Sequence, residues 1–378
     1  MQDMSNAPMP PGHRLSPLVI ISAFLVLLGA GGSLLIRVYF VQGGQSLWLS
    51  TMIQVSGWPL LLPPICISLL LRSRRRDRDR DGGYSIADDL LQPRLVGAVA
   101  VLGVLFALAC YAYSLGSQAL PLTTSSLLQA TQLAFNALCA FVFAGIRFTP
   151  FSVNAVVLLT VGPAVLGVGP SSSDETVSGE GSRTAYWAGF TECMASAALM
   201  GLVVPLFEVA MSRYGRRTAP AGGAFTGAPP SYVTVMQVQA VMGAAGTVLC
   251  LVGMAVMEEF QAVPREAATF GLGETSYCLV LIFGTVSWQL CNLGIMGLVA
   301  CSSSLLAGIM LALLLPLSEV LAVVFLHEKF DGVKGVALVL CLWGFVSYLY
   351  GESAQNKKLT KDPESICCPL LITTCNNF

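Results

Sequence analysis

Residues 232–256 read YVTVMQVQAVMGAAGTVLCLVGMAV, a stretch without a single charged side chain. A helix needs about 20 consecutive apolar residues to cross the hydrocarbon core of a bilayer, so this stretch is long enough to span a membrane. Comparable runs recur along the whole chain, and most of the charge lies between them. They predict ten spans, at residues 17–41, 48–71, 94–114, 119–145, 150–169, 185–210, 232–256, 276–300, 302–326 and 333–351. The sequence therefore predicts an all-α membrane protein with ten transmembrane helices.

The composition agrees with a membrane protein. Of the 378 residues, 55% are hydrophobic and 11% are charged, whereas a soluble domain carries about 25% charged residues. The formal net charge is −1, and binding of nucleic acid requires a strongly basic face. The composition excludes nucleic acid as a partner and predicts membrane lipid and small molecules instead, with no oligomer specified.

The distribution of positive charge predicts the orientation of the chain, because lysine and arginine concentrate on the cytoplasmic side of membrane proteins. If the N-terminus is cytoplasmic, most of the 20 Lys and Arg residues fall on that side, including the arginines between residues 72 and 94. Both termini are therefore predicted to be cytoplasmic. The predicted organisation is a disordered N-terminus at 1–14, a first five-helix half at 15–169, an extracytoplasmic loop at 170–184, a second five-helix half at 185–352 and a cytoplasmic tail at 353–378.

A short motif occurs once in each half. Ser125-Ser126-Leu127-Leu128 and Ser303-Ser304-Leu305-Leu306 each open an apolar helix that is followed by a short turn and another apolar helix. Five spans per half would insert the second half upside down, and such inverted repeats are the architecture of alternating-access carriers, with the substrate near the midplane. The sequence thus predicts two inverted five-helix repeats. Glycine and proline interrupt several spans, where they either line a cavity or are ordinary membrane-helix residues: Gly29-Ala30-Gly31-Gly32, Pro59, Pro63-Pro64, Gly162-Pro163, Pro205 and Pro316.

Polar side chains inside the predicted spans are mainly amides, which usually face a cavity or another helix. Asn and Gln offer a donor and an acceptor together to the edge of a heterocycle, and aromatic rings stack on its face. This inventory favours a flat, neutral, nitrogen-rich solute, and the lack of Lys and Arg at depth disfavours phosphorylated substrates. The alternative is hydrogen bonding between helices without a ligand. The candidate substrate-binding residues are Gln54, Trp58, Gln129, Gln132, Asn136, Trp288, Gln289 and Asn292, of which Gln129, Gln132 and Asn136 are predicted to share one helical face.

Three carboxylates lie within apolar sequence, at Glu192, Glu208 and Glu319. Glu319, three residues after Pro316, has the deepest context, and a carboxylate at depth can bind and release a proton as access alternates. Glu319 and Glu192 are therefore the candidate proton-coupling residues. Glu208, five residues before Arg213, fits a gating or structural ion pair at least as well.

The reactive side chains disfavour an enzyme. The two histidines, His13 and His327, lie away from the interior of the spans, so no histidine-based metal site or nucleophile and base are predicted inside the membrane. No catalytic residue, metal or cofactor is predicted. In the tail, Cys367 and Cys368 fit either free thiols or sites of palmitoylation.

Several longer motifs are shared with one transporter family. They are Arg37-Val38-Tyr39-Phe40 with Gly43-Gly44, Trp48-Leu49-Ser50 with Gly57-Trp58-Pro59, Thr131-Gln132-Leu133-Ala134-Phe135, residues 148–156 (FTPFSVNAV), residues 260–267 (FQAVPREA), Trp288-Gln289, Cys301-Ser302-Ser303-Ser304-Leu305, Leu315-Pro316 through Glu319, His327-Glu328-Lys329-Phe330 and residues 343–348 (WGFVSY). On these motifs, which cover about residues 15–352, the chain resembles the plant purine permease family of the drug/metabolite transporter superfamily. The resemblance implies a ten-helix carrier of adenine, cytokinins and related heterocycles, driven by a proton gradient. Glu319 falls in the family's Leu-Pro-x-x-Glu pattern and Trp288-Gln289 in its Trp-Gln pair.

Two departures from the family bear on coupling. Many members have an acid where this chain has Gln237, and Glu192 is unusual for the family. If that seventh-span acid carries the proton in other members, coupling in this chain has either moved to another residue or been lost. The first hypothesis is proton-coupled uptake of purine bases and cytokinins across the plasma membrane. The second is transport of another flat N-heterocycle, such as an alkaloid or a vitamin-like compound, or of purines across an endomembrane such as the tonoplast or endoplasmic reticulum. The third is a non-transporting membrane receptor or scaffold.

Overall fold

The computed structural model describes residues 17–78, 91–119, 128–129, 131–144, 150–168, 180–214 and 232–302, together with separate positions between 304 and 351. Within these residues all regular structure is helical and no β-strand occurs, which confirms the predicted all-α class. The elements are α1 (Pro17–Leu28), α2 (Ala30–Val41), α3 (Leu47–Val55), a 3-10 turn (Trp58–Leu61), α4 (Leu62–Arg78), α5 (Pro93–Ala119), α6 (Gln132–Ala144), α7 (Pro150–Val168), α8 (Glu180–Tyr214), α9 (Tyr232–Val256), α10 (Glu259–Thr269) and α11 (Glu274–Cys301).

Six stretches of the described chain are helical, long and apolar enough to cross a bilayer. They agree with six of the ten predicted spans and lie at Pro17–Val41, Leu47–Leu71, Pro93–Gln118, Tyr186–Arg213, Tyr232–Val256 and Glu274–Cys301. Helices α6 and α7 occupy the places predicted for the fourth and fifth spans. The predicted ninth and tenth spans fall where only separate positions are described, so the count of ten stays a prediction. The predicted terminal segments at 1–14 and 353–378 lie outside the described residues, whereas α8 already begins at Glu180, inside the predicted loop 170–184.

Two spans are interrupted near their middle, at places where the sequence carries glycine or proline. The first span breaks between α1 and α2, where the N–H of Gly32 donates to the carbonyl of Gly29 at 2.9 Å. The second span breaks after α3, and the following turn begins at Trp58. Proline has no N–H to donate to the carbonyl four residues before it, here Val55, so Pro59 accounts for the end of α3 at Val55. Pro205, by contrast, lies inside continuous α8 and does not break its helix.

Both interrupted spans pack against α11. α11 packs against α1, α2 and α3, while α9 packs against α3, the 3-10 turn and α5. α5 also packs along α8, and α8 packs against α6. α7 contacts the last described positions, where Asn154 Nδ2 donates to Ser347 Oγ at 3.0 Å and the rings of Phe151 and Tyr350 meet edge to face. The second span therefore lies between α9 and α11, and the first span packs against α11.

Many large apolar side chains face outward. Phe24, Val101, Val256 and Ile282 are each more than half exposed. A continuous apolar exterior of this kind suits hydrocarbon, because it marks a membrane-contacting surface in a folded protein. It also explains why the spans are hydrophobic on all faces rather than on one stripe.

Candidate functional site

The break in the second span lies directly against α11. Because α3 ends at Val55, its last carbonyl groups have no partner within the helix. The side-chain amide of Asn292 on α11 donates to one of them, the carbonyl of Gln54, at 3.0 Å. The Gln54 side chain turns back along α3, where its Nε2 donates to the carbonyl of Ser50 at 3.3 Å. Two predicted binding residues thus meet, through a contact that also joins two helices.

Gln289 and Trp58 complete this polar centre, which is enclosed by close helix approach. A Cβ atom on Gly57 would lie 2.5 Å from Gln289 Cβ and 3.0 Å from Gln289 Oε1, so glycine allows α11 to come this near. On the other side, a Cβ atom on Gly243 of α9 would lie 2.9 Å from Trp58 Cβ. We call Gln54, Trp58, Gln289 and Asn292 the break site.

Polar atoms in and beside the break site have no hydrogen-bond partner among the described residues. Gln289 is 2% exposed, and its Nε2 forms no hydrogen bond. On α9, the Oε1 of buried Gln239 is also unpaired, one helical turn before the Gly243 that contacts Trp58. A buried polar group without a partner costs about 1–3 kcal/mol, so a ligand that brings an acceptor and a donor would remove this penalty. Sequence reasoning does not select Gln239 as a binding residue, although its amide at depth is the signal that could have found it.

Trp288 contacts the other interrupted span. A Cβ atom on Gly32 of α2 would lie 2.8 Å from Trp288 Cδ1, and the buried indole nitrogen Nε1 has no hydrogen-bond partner. The adjacent Gln289 faces the second span. The Trp288-Gln289 pair therefore connects α11 to the breaks of both spans.

The amides of the predicted fourth span form a second, separate group. Thr131 lies in a turn and α6 begins only at Gln132. Gln129 Nε2 nevertheless reaches Gln132 Oε1 at 3.0 Å, and Asn136 Nδ2 donates to the carbonyl of Ser304 at 3.0 Å. Within the described part of the chain, no hydrogen bond joins these amides to the break site. The turn at Thr131 separates Gln129 from α6, which carries Gln132 and Asn136, so the shared helical face of all three stays a prediction.

Of the two predicted proton-coupling residues, the structure describes one. Glu319 lies outside the described residues, and Glu192 is half-buried on α8 beside the buried Cys193. Glu208 accepts a hydrogen bond from the backbone N–H of Ser304 at 2.9 Å. No ion pair joins Glu208 to Arg213, both of which the structure describes, so that predicted pair is not formed.

A buried carboxylate holds the connection between the first two spans. Glu266 on α10 is 9% exposed. Its Oε2 accepts hydrogen bonds from the hydroxyls of Tyr39 at 2.8 Å and Tyr277 at 3.3 Å. Its Oε1 accepts from the Gln45 N–H at 3.1 Å and the Ser46 hydroxyl at 2.5 Å. We call these five residues the Glu266 cluster, in which four donors replace the water that the carboxylate loses on burial.

A second carboxylate of α10 supports the start of α3. Glu259 accepts a hydrogen bond from the Trp48 N–H at 3.1 Å, and a negative charge is favourable at a helix N-terminus. Burial raises the pKa of the Glu259 carboxyl, while the backbone N–H groups around Trp48 act in the opposite direction. Glu266 falls between the predicted seventh and eighth spans, a position that does not indicate burial. The Tyr39 and Glu266 side chains that bond are 227 positions apart, so no local pattern indicates the contact.

The chain matches one family of known proteins over most of its length. The model of the PUNUT family, described as purine nucleobase transmembrane transport, matches residues 17–358. Purine permease 3 of Arabidopsis thaliana is 38% identical over 92% of this chain and 95% of its own length. Purine permease 2 is 36% identical over 94% and 97%, and purine permease 21 is 31% identical over 92% and 83%, both from the same plant.

A solved structure described only as "Crystal structure of protein" has the same overall fold. It is 16% identical, with a TM-score of 0.50, and the match covers 89% of this chain and 99% of that one. The relatives found by sequence are named permeases, so the chain is a multi-pass membrane transporter and not an enzyme. With the family match extending from residue 17 to residue 358, this chain belongs to the purine permease family.

Proposed function

We propose that this chain carries purine nucleobases across a membrane and that the break site binds them. The observation that supports this most directly is the unpaired Nε2 of Gln289, which lies beside the interruption of the second span. Carriers build substrate sites from discontinuous helices near the midplane, where backbone groups are released from helical hydrogen bonds. The family match supports the same class of substrate.

The chemistry of the break site suits the edge of a purine. Gln289 offers an unpaired donor, and neighbouring Gln239 offers an unpaired acceptor. Adenine carries ring-nitrogen acceptors next to an exocyclic amino donor, the pattern that amide side chains recognise. The half-buried indole of Trp58 adds an aromatic face on which a base can stack. The four residues carry no charge, which disfavours nucleotides as substrates. Adenine-type cytokinins present the same ring, and we propose them as substrates too.

We propose that transport proceeds by alternating access between two inverted five-helix repeats, with ten spans and cytoplasmic termini. A two-fold axis in the membrane plane would exchange the first span with the sixth and the third with the eighth. Packing of α5 against α8, the third span with the sixth, then has its counterpart in the packing of α11 against α1 and α2, the eighth with the first. This reciprocity supports the repeat.

We propose the plasma membrane as the site of uptake and a proton gradient as its driving force. Glu319 and Glu192 are the proposed proton-coupling residues, because a carboxylate within a span can bind and release a proton as access alternates. The alternative location is an endomembrane, which a fluorescent fusion protein would reveal. If the chain is found there, the same transport proposal applies to that membrane.

Uptake of radiolabelled adenine and trans-zeatin into yeast cells tests the function. Cells that express the chain are expected to accumulate both compounds above cells with an empty vector, and a protonophore is expected to abolish the accumulation because it removes the gradient. Excess unlabelled adenine should compete, whereas adenosine monophosphate should not. Absence of uptake at every pH contradicts the proposal as a whole. Uptake that ignores the protonophore contradicts only the coupling to protons.

A further inference from the structure

A third carboxylate lies inside the sixth span without a counter-ion on its own helix. Glu208 is half-buried, and it falls within the apolar stretch Tyr186–Arg213. Arg213 lies five residues later, which places it about 140° around a helix of 3.6 residues per turn. Arg213 is exposed. A carboxylate at such a depth needs another partner, since intramembrane charges are costly and usually functional.

Glu208 contacts the backbone just after the end of α11. We call this place, which includes Ser302 and Ser304, the joint. The backbone leaves helical geometry at Ser302, with φ −141° and ψ −96°, and helical structure resumes at Ser304. The first N–H groups of a helix lack partners within it, and Glu208 Oε2 accepts the N–H of Ser304 at 2.9 Å. Asn136 on α6 donates to the carbonyl of the same residue at 3.0 Å. Side chains from α8 and α6 thus hold Ser304 by its two backbone groups.

This joint contains buried polar atoms that lack a partner. Asn136 and Ser304 are 1% and 0% exposed, and Asn136 Oδ1 and Ser304 Oγ form no hydrogen bond with any residue that the structure describes. Asn136 Oδ1 is an acceptor that lacks a donor. An ionised carboxylate only accepts hydrogen bonds, whereas a protonated one carries an O–H donor. One proton bound to Glu208 would therefore supply the kind of group that this joint is missing.

Few other titratable or charged groups lie at this end of the elements packed against α8. Within the described residues they are Arg94 on α5, Cys139 on α6 and Cys301 on α11, together with Arg213 on α8 itself. Arg94 and Arg213 are exposed, and the two cysteines are partly buried thiols. Glu208 is the described carboxylate that bonds to the joint.

We propose that Glu208 binds a proton during transport and, through Ser304, controls the joint between α11 and the segment that follows it. This inference rests on the proposed proton-coupled transport and adds Glu208 to Glu319 and Glu192. When ionised, Glu208 holds the N–H of Ser304 and its negative charge favours the helix start. Binding of a proton from one side forms an O–H bond, removes that charge from the helix start and gives the joint a hydrogen-bond donor, so the contacts that hold Ser304 change. Release of the proton to the other side restores the contact.

Transport by purified protein in liposomes distinguishes a loss of proton coupling from a loss of the folded carrier. Two fluxes of radiolabelled adenine are measured, accumulation driven by an imposed pH gradient and exchange against internal adenine at equal pH. For Glu208→Gln, gradient-driven accumulation is expected to fall about tenfold or more, with a flattened pH profile, while exchange persists. Glu208→Asp keeps a carboxyl and is expected to restore part of the accumulation. Glu274→Gln, which changes an exposed carboxylate at the start of α11, should leave both fluxes unchanged.

Three results overturn the inference. The first is gradient-driven accumulation by Glu208→Gln equal to that of the unmodified chain. The second is equal loss of exchange and accumulation, since Glu208 is then only a structural cap. The third is failure of Glu208→Asp to accumulate adenine while it still exchanges. If the unmodified chain exchanges adenine but ignores the pH gradient, the proposed proton coupling itself fails, and the inference fails with it.

Discussion

Replacement of Glu266 by alanine is expected to lower the midpoint of thermal unfolding by on the order of 10 °C. The change removes the acceptor for four donors, two of which are the hydroxyls of the almost fully buried Tyr39 and Tyr277. Each buried donor left without a partner costs about 1–3 kcal/mol. Partial relaxation brings the total to about 4 kcal/mol, and in a protein of this size each kcal/mol shifts the midpoint by about 2–4 °C. Tryptophan fluorescence of the purified protein in detergent measures the midpoint.

Two further variants make this result specific to the Glu266 cluster. Glu274→Ala removes an exposed carboxylate close by in sequence and is expected to unfold at the original temperature. Glu266→Gln keeps one acceptor oxygen but directs an NH₂ group towards donors. Its midpoint of unfolding should therefore lie between those of Glu266→Ala and Glu274→Ala. If Glu266→Ala unfolds at the same temperature as Glu274→Ala, the cluster does not hold the connection between the first two spans.

Replacement of Gln289 by leucine is expected to reduce the efficiency of adenine uptake about 10- to 100-fold. A good amide-to-base contact contributes about 1–3 kcal/mol of recognition, and the Gln289 Nε2 is available for one because it has no hydrogen-bond partner among the described residues. Leucine has a similar volume, so the close contact with Gly57 is preserved and folding should survive. Initial rates over a range of adenine concentrations, normalised to the amount of protein in the membrane, measure the effect.

The matched control for this substitution is Gln261→Leu. Gln261 is exposed on α10, and the same chemical change there is expected to leave uptake unchanged. Asn292→Leu is a different case, because its amide supports the Gln54 carbonyl and its loss should also lower thermal stability. Uptake by Gln289→Leu that equals uptake by Gln261→Leu would show that Gln289 does not contact the substrate.

The spans could be predicted because the bilayer imposes a length and a polarity on them. Each helix must form the hydrogen bonds of its own backbone and present apolar side chains to the lipid. Both requirements are visible locally in the sequence. The break after α3 is also local, since Pro59 has no N–H to donate to the carbonyl of Val55, the last residue of α3. The same signal is ambiguous elsewhere, because Pro205 sits in an unbroken helix. Proline marks a place where a helix can break, and neighbouring helices decide whether it does.

The role of each polar side chain could not be predicted, because it depends on the helix opposite. Sequence gives the depth of an amide but not its neighbour. Asn292 and Asn136 each use a side-chain donor to hold a backbone carbonyl of another element, whereas the amide nitrogen of Gln289 has no partner. Glu266 falls between two predicted spans, and its hydrogen-bond donors come from distant segments, so its burial is not visible locally.

Photolabelling tests the central claim most directly. An azido-substituted adenine is bound to the purified protein, activated by light, and its attachment points are located by mass spectrometry. If the break site binds purines, the label is expected on peptides that contain residues 54–61 and 288–292, and excess adenine should suppress it. Label confined to residues 129–136, or label that excess adenine does not displace, would contradict the account.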